Sequence, residues 1–144
     1  MSGLRSMKTG ADLEAKLRAF IEEFDGRPVV YGRDDCAPFA ALWVERATGR
    51  KLAIPPYDSR EGGQELIRAA GGLVELCNDL MASAGFHQRY GDPEYGDVGI
   101  LRTHAFGDVG GIFAHAGHFL WRHAEGVGIV VPRARYIQKV WAIG

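Results

Sequence analysis

Cysteine is scarce, acidic and basic residues nearly cancel, and no long hydrophobic run occurs. Two cysteines, Cys36 and Cys77, are too few for a disulfide scaffold, and a chain of 144 residues does not need one. They are expected to be free thiols. Seventeen Lys and Arg stand against 18 Asp and Glu, a net charge of −1 with no basic stripe along the chain, so the footprint of a nucleic-acid binder is missing. No stretch approaches the roughly 18 apolar residues of a membrane span. The start, MSGLRSMKTGADLEAK, has no apolar signal region, so synthesis in the cytosol without a membrane anchor is expected. What is abundant is glycine: 20 residues, roughly twice the usual frequency, mostly after residue 60. Tight turns are expected there. The chain reads as one domain over residues 1–144, with 1–10 as a flexible N-terminal arm.

From Ala11 to Phe24, Leu13, Leu17, Phe20, Ile21 and Phe24 recur on one helical face, which predicts an amphipathic helix ending near Asp25-Gly26. A second helix is expected with Asp34 or Asp35 as N-cap, Pro38 in its first turn, an apolar stripe of Phe39, Leu42, Trp43 and Ala47, and Gly49 as its stop. Cys36 then lies in its first turn. Lys51 to Gly63, with Pro55-Pro56 and Tyr57, reads as a surface loop. Two short helices are expected over Gln64–Ala70 and Leu73–Ala84. Beyond Asp97 the character changes to short β-favouring runs split by glycine: 98–101, 109–113, 119–121, 127–131 and 136–143. Helices followed by strands predict an α+β domain, with helices on one face of an antiparallel sheet.

Cys36 is the sharpest chemical candidate, because unpaired N–H groups and the macrodipole at a helix N-terminus favour a thiolate. Asp34 and Asp35 oppose this unless their carboxylates are engaged in capping bonds. Core packing beside Phe39 is the plainer explanation of a lone cysteine, and it is the one adopted for mid-helix Cys77. Of the five histidines, His115, His118 and His123 are numerous enough for zinc, but their spacing on strands scatters them over opposite faces and no HExxH or CxxC pattern accompanies them. Neither a metal nor another cofactor is expected. Gly107-Asp108-Val109-Gly110-Gly111 is not a phosphate loop, since no helix follows it.

Tyr31-Gly32-Arg33-Asp34-Asp35-Cys36, a helical middle, and Gly96-Asp97-Val98 opening a glycine-rich sheet together resemble the NlpC-like papain-fold cysteine peptidases, which cleave peptide bonds in peptidoglycan. Within that family the pattern is closest to small proteins of phage and prophage tail-gene clusters. It shares with them Ala37-Pro38-Phe39-Ala40, Trp43, the strand from Gly126 to Pro132 and a closing Trp141, so the likeness spans nearly the whole chain. The resemblance implies a papain-like fold, Cys36 as nucleophile, and a histidine on a neighbouring strand as its base. The family's His-Val-Gly-Ile-Tyr strand aligns with Val109 to Phe113, which puts Val109 at the base position. The third polar position falls near Trp121, with Arg122 and His123 beside it.

Two readings follow from the resemblance. In one, the site is degenerate and the protein is a structural or assembly component of a phage tail tip, made in the bacterial cytoplasm and carried into the virion tail, with hub proteins as partners. In the other it is an active hydrolase of peptidoglycan stem peptides, with Cys36 as nucleophile, His104 in the turn before the strand as base, and the Cys36 N–H in an oxyanion hole. A cytosolic amidase or thiol sensor unrelated to phage is a third. For hub contacts the sequence nominates the first helix and the Lys51–Gly63 loop, with Tyr57 expected exposed.

Overall fold

A computed structural model describes residues 2–144, with side chains from Gly10 onward. Helix α1 spans Ser2–Phe24, so the arm expected over residues 1–10 is helical from Ser2; Met1 lies outside the described residues. Once the Leu13–Phe24 face has nucleated a helix, each further residue adds one bond, and no proline interrupts the chain upstream. Leu17, Phe20 and Phe24 of α1 are buried.

Helix α2 (Cys36–Thr48) begins and ends where expected, with Asp35 at the N-cap position and Gly49 closing it at φ 79°. Its buried side, Phe39, Trp43 and Val44, meets Phe20 of α1, whose ring lies 5.1 Å from that of Phe39 and 5.7 Å from that of Trp43. Helix α3 (Arg60–Ala70) starts four residues before the expected Gln64, because the Ser59 hydroxyl accepts the Gly62 N–H at 3.0 Å and caps it. The two glycines that read as loop residues are helical, and Gly63 is needed there: a Cβ would come within 2.9 Å of the Tyr57 ring. Helix α4 (Leu73–Ser83) follows after Gly71-Gly72.

The strands are β1 (His87–Gln88), β2 (Val98–Thr103), β3 (Gly107–Phe113), β4 (Phe119–His123), β5 (Gly126–Val130) and β6 (Ile137–Ala142). They form one antiparallel sheet in the order β1-β6-β2-β3-β4-β5. The fold is therefore α+β. β1, two residues long, carries no periodic signal and was not expected. Helix α2 packs across β3, and the side chains of Val98, Ile100, Ile112, Leu120 and Trp141 join Phe20, Phe39 and Trp43 in the main core.

The opposite face of the sheet holds a second cluster, Leu101, Val109, Phe113, Phe119 and Val140. Its rings lie directly on glycine backbone. A Cβ at Gly99 would stand 2.7 Å from the Phe113 ring, and one at Gly111 would stand 2.5 Å from the Phe119 ring. Two of the glycines behind the turn-rich expectation are thus strand residues that admit an aromatic ring.

Candidate functional site around Cys36

The chain enters α2 through a tight turn. Gly32 takes φ 86°, and a Cβ on it would sit 1.8 Å from the Tyr57 carbonyl oxygen, so both the backbone angle and the close approach require glycine. The two aspartates are engaged locally. Asp34 accepts the Val30 N–H at 2.8 Å, and Asp35 accepts the Gly32 N–H at 2.7 Å on one oxygen and the Tyr57 hydroxyl at 2.5 Å on the other. Neither caps α2 through its side chain. Tyr57, expected to be exposed in the Lys51–Gly63 loop, is instead half-buried, tying that loop to the N-terminus of α2. Its phenol is held well above its ordinary pKa, chiefly by burial and then by the Asp35 carboxylate.

The Cys36 sulfur accepts the Gly110 N–H at 2.8 Å. Gly110 lies one residue beyond the last β3–β4 pair, Gly111 with Trp121, so its N–H is turned to the sulfur at a point where the two strands part. Gly110 adjoins the thiol directly, since a Cβ on it would lie 3.5 Å from Sγ, and Cys36 also packs against the cluster that contains Val109. Val109, which the resemblance puts at the base position, is an apolar residue that can take no proton from the thiol. Trp121, opposite Gly111, borders that opposite cluster, and Arg122 is buried elsewhere.

His104 does not meet Cys36. It sits exposed in the turn joining β2 and β3, beyond Gly107, which is itself three residues or about 10 Å of strand from Gly110. Hairpin pairing continues to Thr103 opposite Gly107, so the turn cannot fold back to the helix. The remaining histidines are placed elsewhere. His115 binds Glu14 at 2.8 Å, His118 binds the His115 carbonyl at 2.7 Å, His123 lies beside Glu125, and His87 is exposed on β1. Among the described residues no imidazole hydrogen-bonds Cys36, and no three metal-ligating side chains gather.

The electrostatics run against the thiolate expected from helix position. Burial pushes the Cys36 thiol up to about 11, the Gly110 N–H partly opposes this, and the Asp35 and Asp108 charges add to it. Cys77 is likewise raised by burial to about 12. Desolvation outweighs the helix terminus here because the macrodipole is worth at most about 2 kcal/mol in partly buried positions. A cavity of about 110 Å³ lies beside Cys36 between α2, the 51–59 loop, α3 and α4, walled by Tyr31, Asp35, Tyr57, Arg60 and Leu76. The site thus offers a protonated thiol, one backbone N–H and a tyrosine–carboxylate pair beside a small cavity. Sequence reasoning missed Gly110 and Tyr57; the only signal for the first was the glycine pair in β3, and nothing local signals the second.

A pH experiment checks the thiol. Because the folded pKa lies above the unfolded value near 9, the unfolded chain loses its thiol proton first, and stability should fall as pH rises from about 9 towards 11. Cys36→Ser should lessen that fall in the melting temperature, leaving the part due to the raised Cys77 and Tyr57. Iodoacetamide should modify Cys36 slowly at pH 7.5; a fast reaction there would show a thiolate and contradict the burial argument.

Fold and site define a class: an α+β protein in which a cysteine-bearing helix lies across an antiparallel sheet and its sulfur is met by strand backbone. The chain belongs to the family described as a domain of unknown function, DUF6950, whose model matches residues 9–143. No curated protein matches the chain.

Proposed function

We propose that the protein is a papain-like, NlpC-type scaffold without a catalytic base, serving as an assembly or structural component of a phage tail tip in contact with hub proteins. The observation that carries the loss of catalysis is that Sγ is met by the Gly110 N–H and by the cluster holding Val109, and that among the described residues no imidazole hydrogen-bonds it. Attack on a peptide bond needs a base for the thiol proton and an acid for the leaving amine, and a neutral thiol beside glycine has neither. The tail-tip assignment is supported by the resemblance of the Tyr31–Ala40 segment, Trp43, Gly96-Asp97-Val98 and Trp141 to tail-cluster proteins.

The test is cleavage of purified peptidoglycan by the full chain, with Cys36→Ser and Cys77→Ser beside it, together with complementation of tail assembly by the same variants. No muropeptide release, and assembly restored by Cys36→Ser as well as by the unaltered protein, is the expected result. Release abolished by Cys36→Ser but not by Cys77→Ser would establish the hydrolase reading instead, and assembly indifferent to loss of the protein would overturn the structural role.

A further inference from the structure

On the sheet face away from the helices, a groove of about 580 Å³ lies between the β2–β3 hairpin and the connection from β5 to β6. Leu101, Val130 and Pro132 give it aliphatic walls, with Leu101 buried at 4 % exposure, and Arg102, His104 and Tyr136 stand on its margin. None of these residues belongs to the cysteine site. The surroundings are basic although the whole chain carries −1: no acidic residue follows Glu125, while Arg133 and Arg135 flank the groove in the short turn that ends at Tyr136. Arg102 has its counter-ion, Asp108, at 3.0 Å, but Arg133, Arg135 and His104 have no carboxylate partner among the described residues. Val130 belongs to β5, the last strand of the sheet, whose outer edge pairs with no strand among the described residues. Val131, just beyond β5 and between the two lining residues Val130 and Pro132, is 62 % exposed and uncharged.

We infer that this groove is a docking site for an extended segment of a partner protein in which acidic residues alternate with aliphatic ones. The aliphatic walls accept branched side chains, the arginines attract carboxylates, and the β5 edge, which pairs with no strand among the described residues although its Val127 N–H donates to Asp25 at 3.4 Å, favours an extended backbone. A nucleic acid fits less well. The Tyr136 ring is already covered by the Arg135 guanidinium 4.8 Å from its centroid, its hydroxyl is bonded by Arg135 at 3.0 Å, and Phe106 packs on Trp121, so no stacking platform is offered. The inference is independent of catalysis at Cys36 and of the tail-tip reading.

The test is fluorescence anisotropy of the full chain with a labelled peptide of about ten alternating Glu and Leu residues, at low salt and at about 0.3 M salt. Matched Glu/Ser and Lys/Leu peptides and an oligo-thymidine of similar length complete the set. The Glu/Leu peptide should bind and weaken with salt. The Glu/Ser peptide should bind about tenfold more weakly, and the Lys/Leu peptide not at all. Arg133→Glu/Arg135→Glu, both exposed and so expected to fold by circular dichroism, should lose binding at least about tenfold. Arg18→Glu/Arg68→Glu, an equal charge change on the helical side, should not. Absence of Glu/Leu binding, equal loss in both double variants, or tighter binding of the oligonucleotide would each overturn the inference.

Discussion

Replacing Trp43 by Ala is expected to cost about 3–5 kcal/mol of folding stability, a large share of what a domain of this size has. The indole is fully buried and packs against Phe20 at 5.7 Å, so truncation opens a cavity where α1, α2 and the sheet meet. It also breaks a specific tie. Trp43 Nε1–H donates to the Gly96 carbonyl at 2.8 Å, and the Gly96 N–H donates in turn to the Phe113 carbonyl at 2.8 Å, so one side chain fastens α2 to the turn that leads into β2. Beside it Asp97, 2 % exposed, accepts from Arg89 and from the Glu94 N–H at 2.8 Å. The two separated motif pieces, Trp43 and Gly96-Asp97-Val98, are therefore halves of one contact. Trp43→Phe keeps most of the apolar volume and leaves the Gly96 carbonyl without its donor, for which about 1–3 kcal/mol is expected. Urea unfolding with an unchanged m-value decides the order. An Ala variant within about 1 kcal/mol of the unaltered protein would show that the site collapses around the loss.

What the sequence made legible follows from how many independent signals agree at a given place. Helix α2 carried an acidic N-cap position, Pro38 in the first turn, a stripe through Phe39 and Trp43, and Gly49 as a stop, and its limits match the structure. The same holds for the antiparallel sheet, whose glycine-bounded runs are β2 to β6 within two residues at each end. The start of α3 was hidden because Gly62 and Gly63 carry the signature of a breaker, whereas their lack of side chains admits Ser59 and the Tyr57 ring. The site failed for a different reason. Which backbone group of β3 meets the Cys36 sulfur turns on a single residue of register, and hydrophobic alternation cannot fix register in a strand buried on both faces. Nor can local pattern link Tyr57 to Asp35 across 22 residues, or show that burial overrides the helix terminus at the thiol. His104 was chosen for proximity in sequence, and a hairpin carries sequence neighbours away along its own axis.

The cost of Arg122→Ala is expected to be comparable, about 3–5 kcal/mol, and to arise mainly from backbone carbonyls rather than from its ion pair. The guanidinium is shut off from solvent on β4, where its two terminal nitrogens donate to the carbonyls of Gly126 at 2.9 Å, of His123 at 3.2 Å and of Pro28 at 3.2 Å, while Nε has no partner among the described residues. Asp34 lies at 3.6 Å, outside hydrogen-bond reach, and has the Val30 N–H for a partner; the Phe24 ring lies 5.7 Å away. Removing the arginine leaves three carbonyls without this donor, two of them in the β4–β5 hairpin and one in the segment leading to Cys36. Removing the aspartate leaves a cation that still has all three. A double-mutant cycle of Arg122→Ala with Asp34→Asn should therefore return a coupling of about 1 kcal/mol or less; about 3 kcal/mol or more would show that the ion pair dominates. Because Pro28 and Asp34 bracket the turn that delivers Tyr31 and Cys36, amide exchange over residues 29–36 should quicken in Arg122→Ala before the sheet opens. If those amides keep their protection while global stability drops, Arg122 acts on the hairpin alone, and the approach to Cys36 is held instead by the bonds of Asp34 and Asp35 to their own turn.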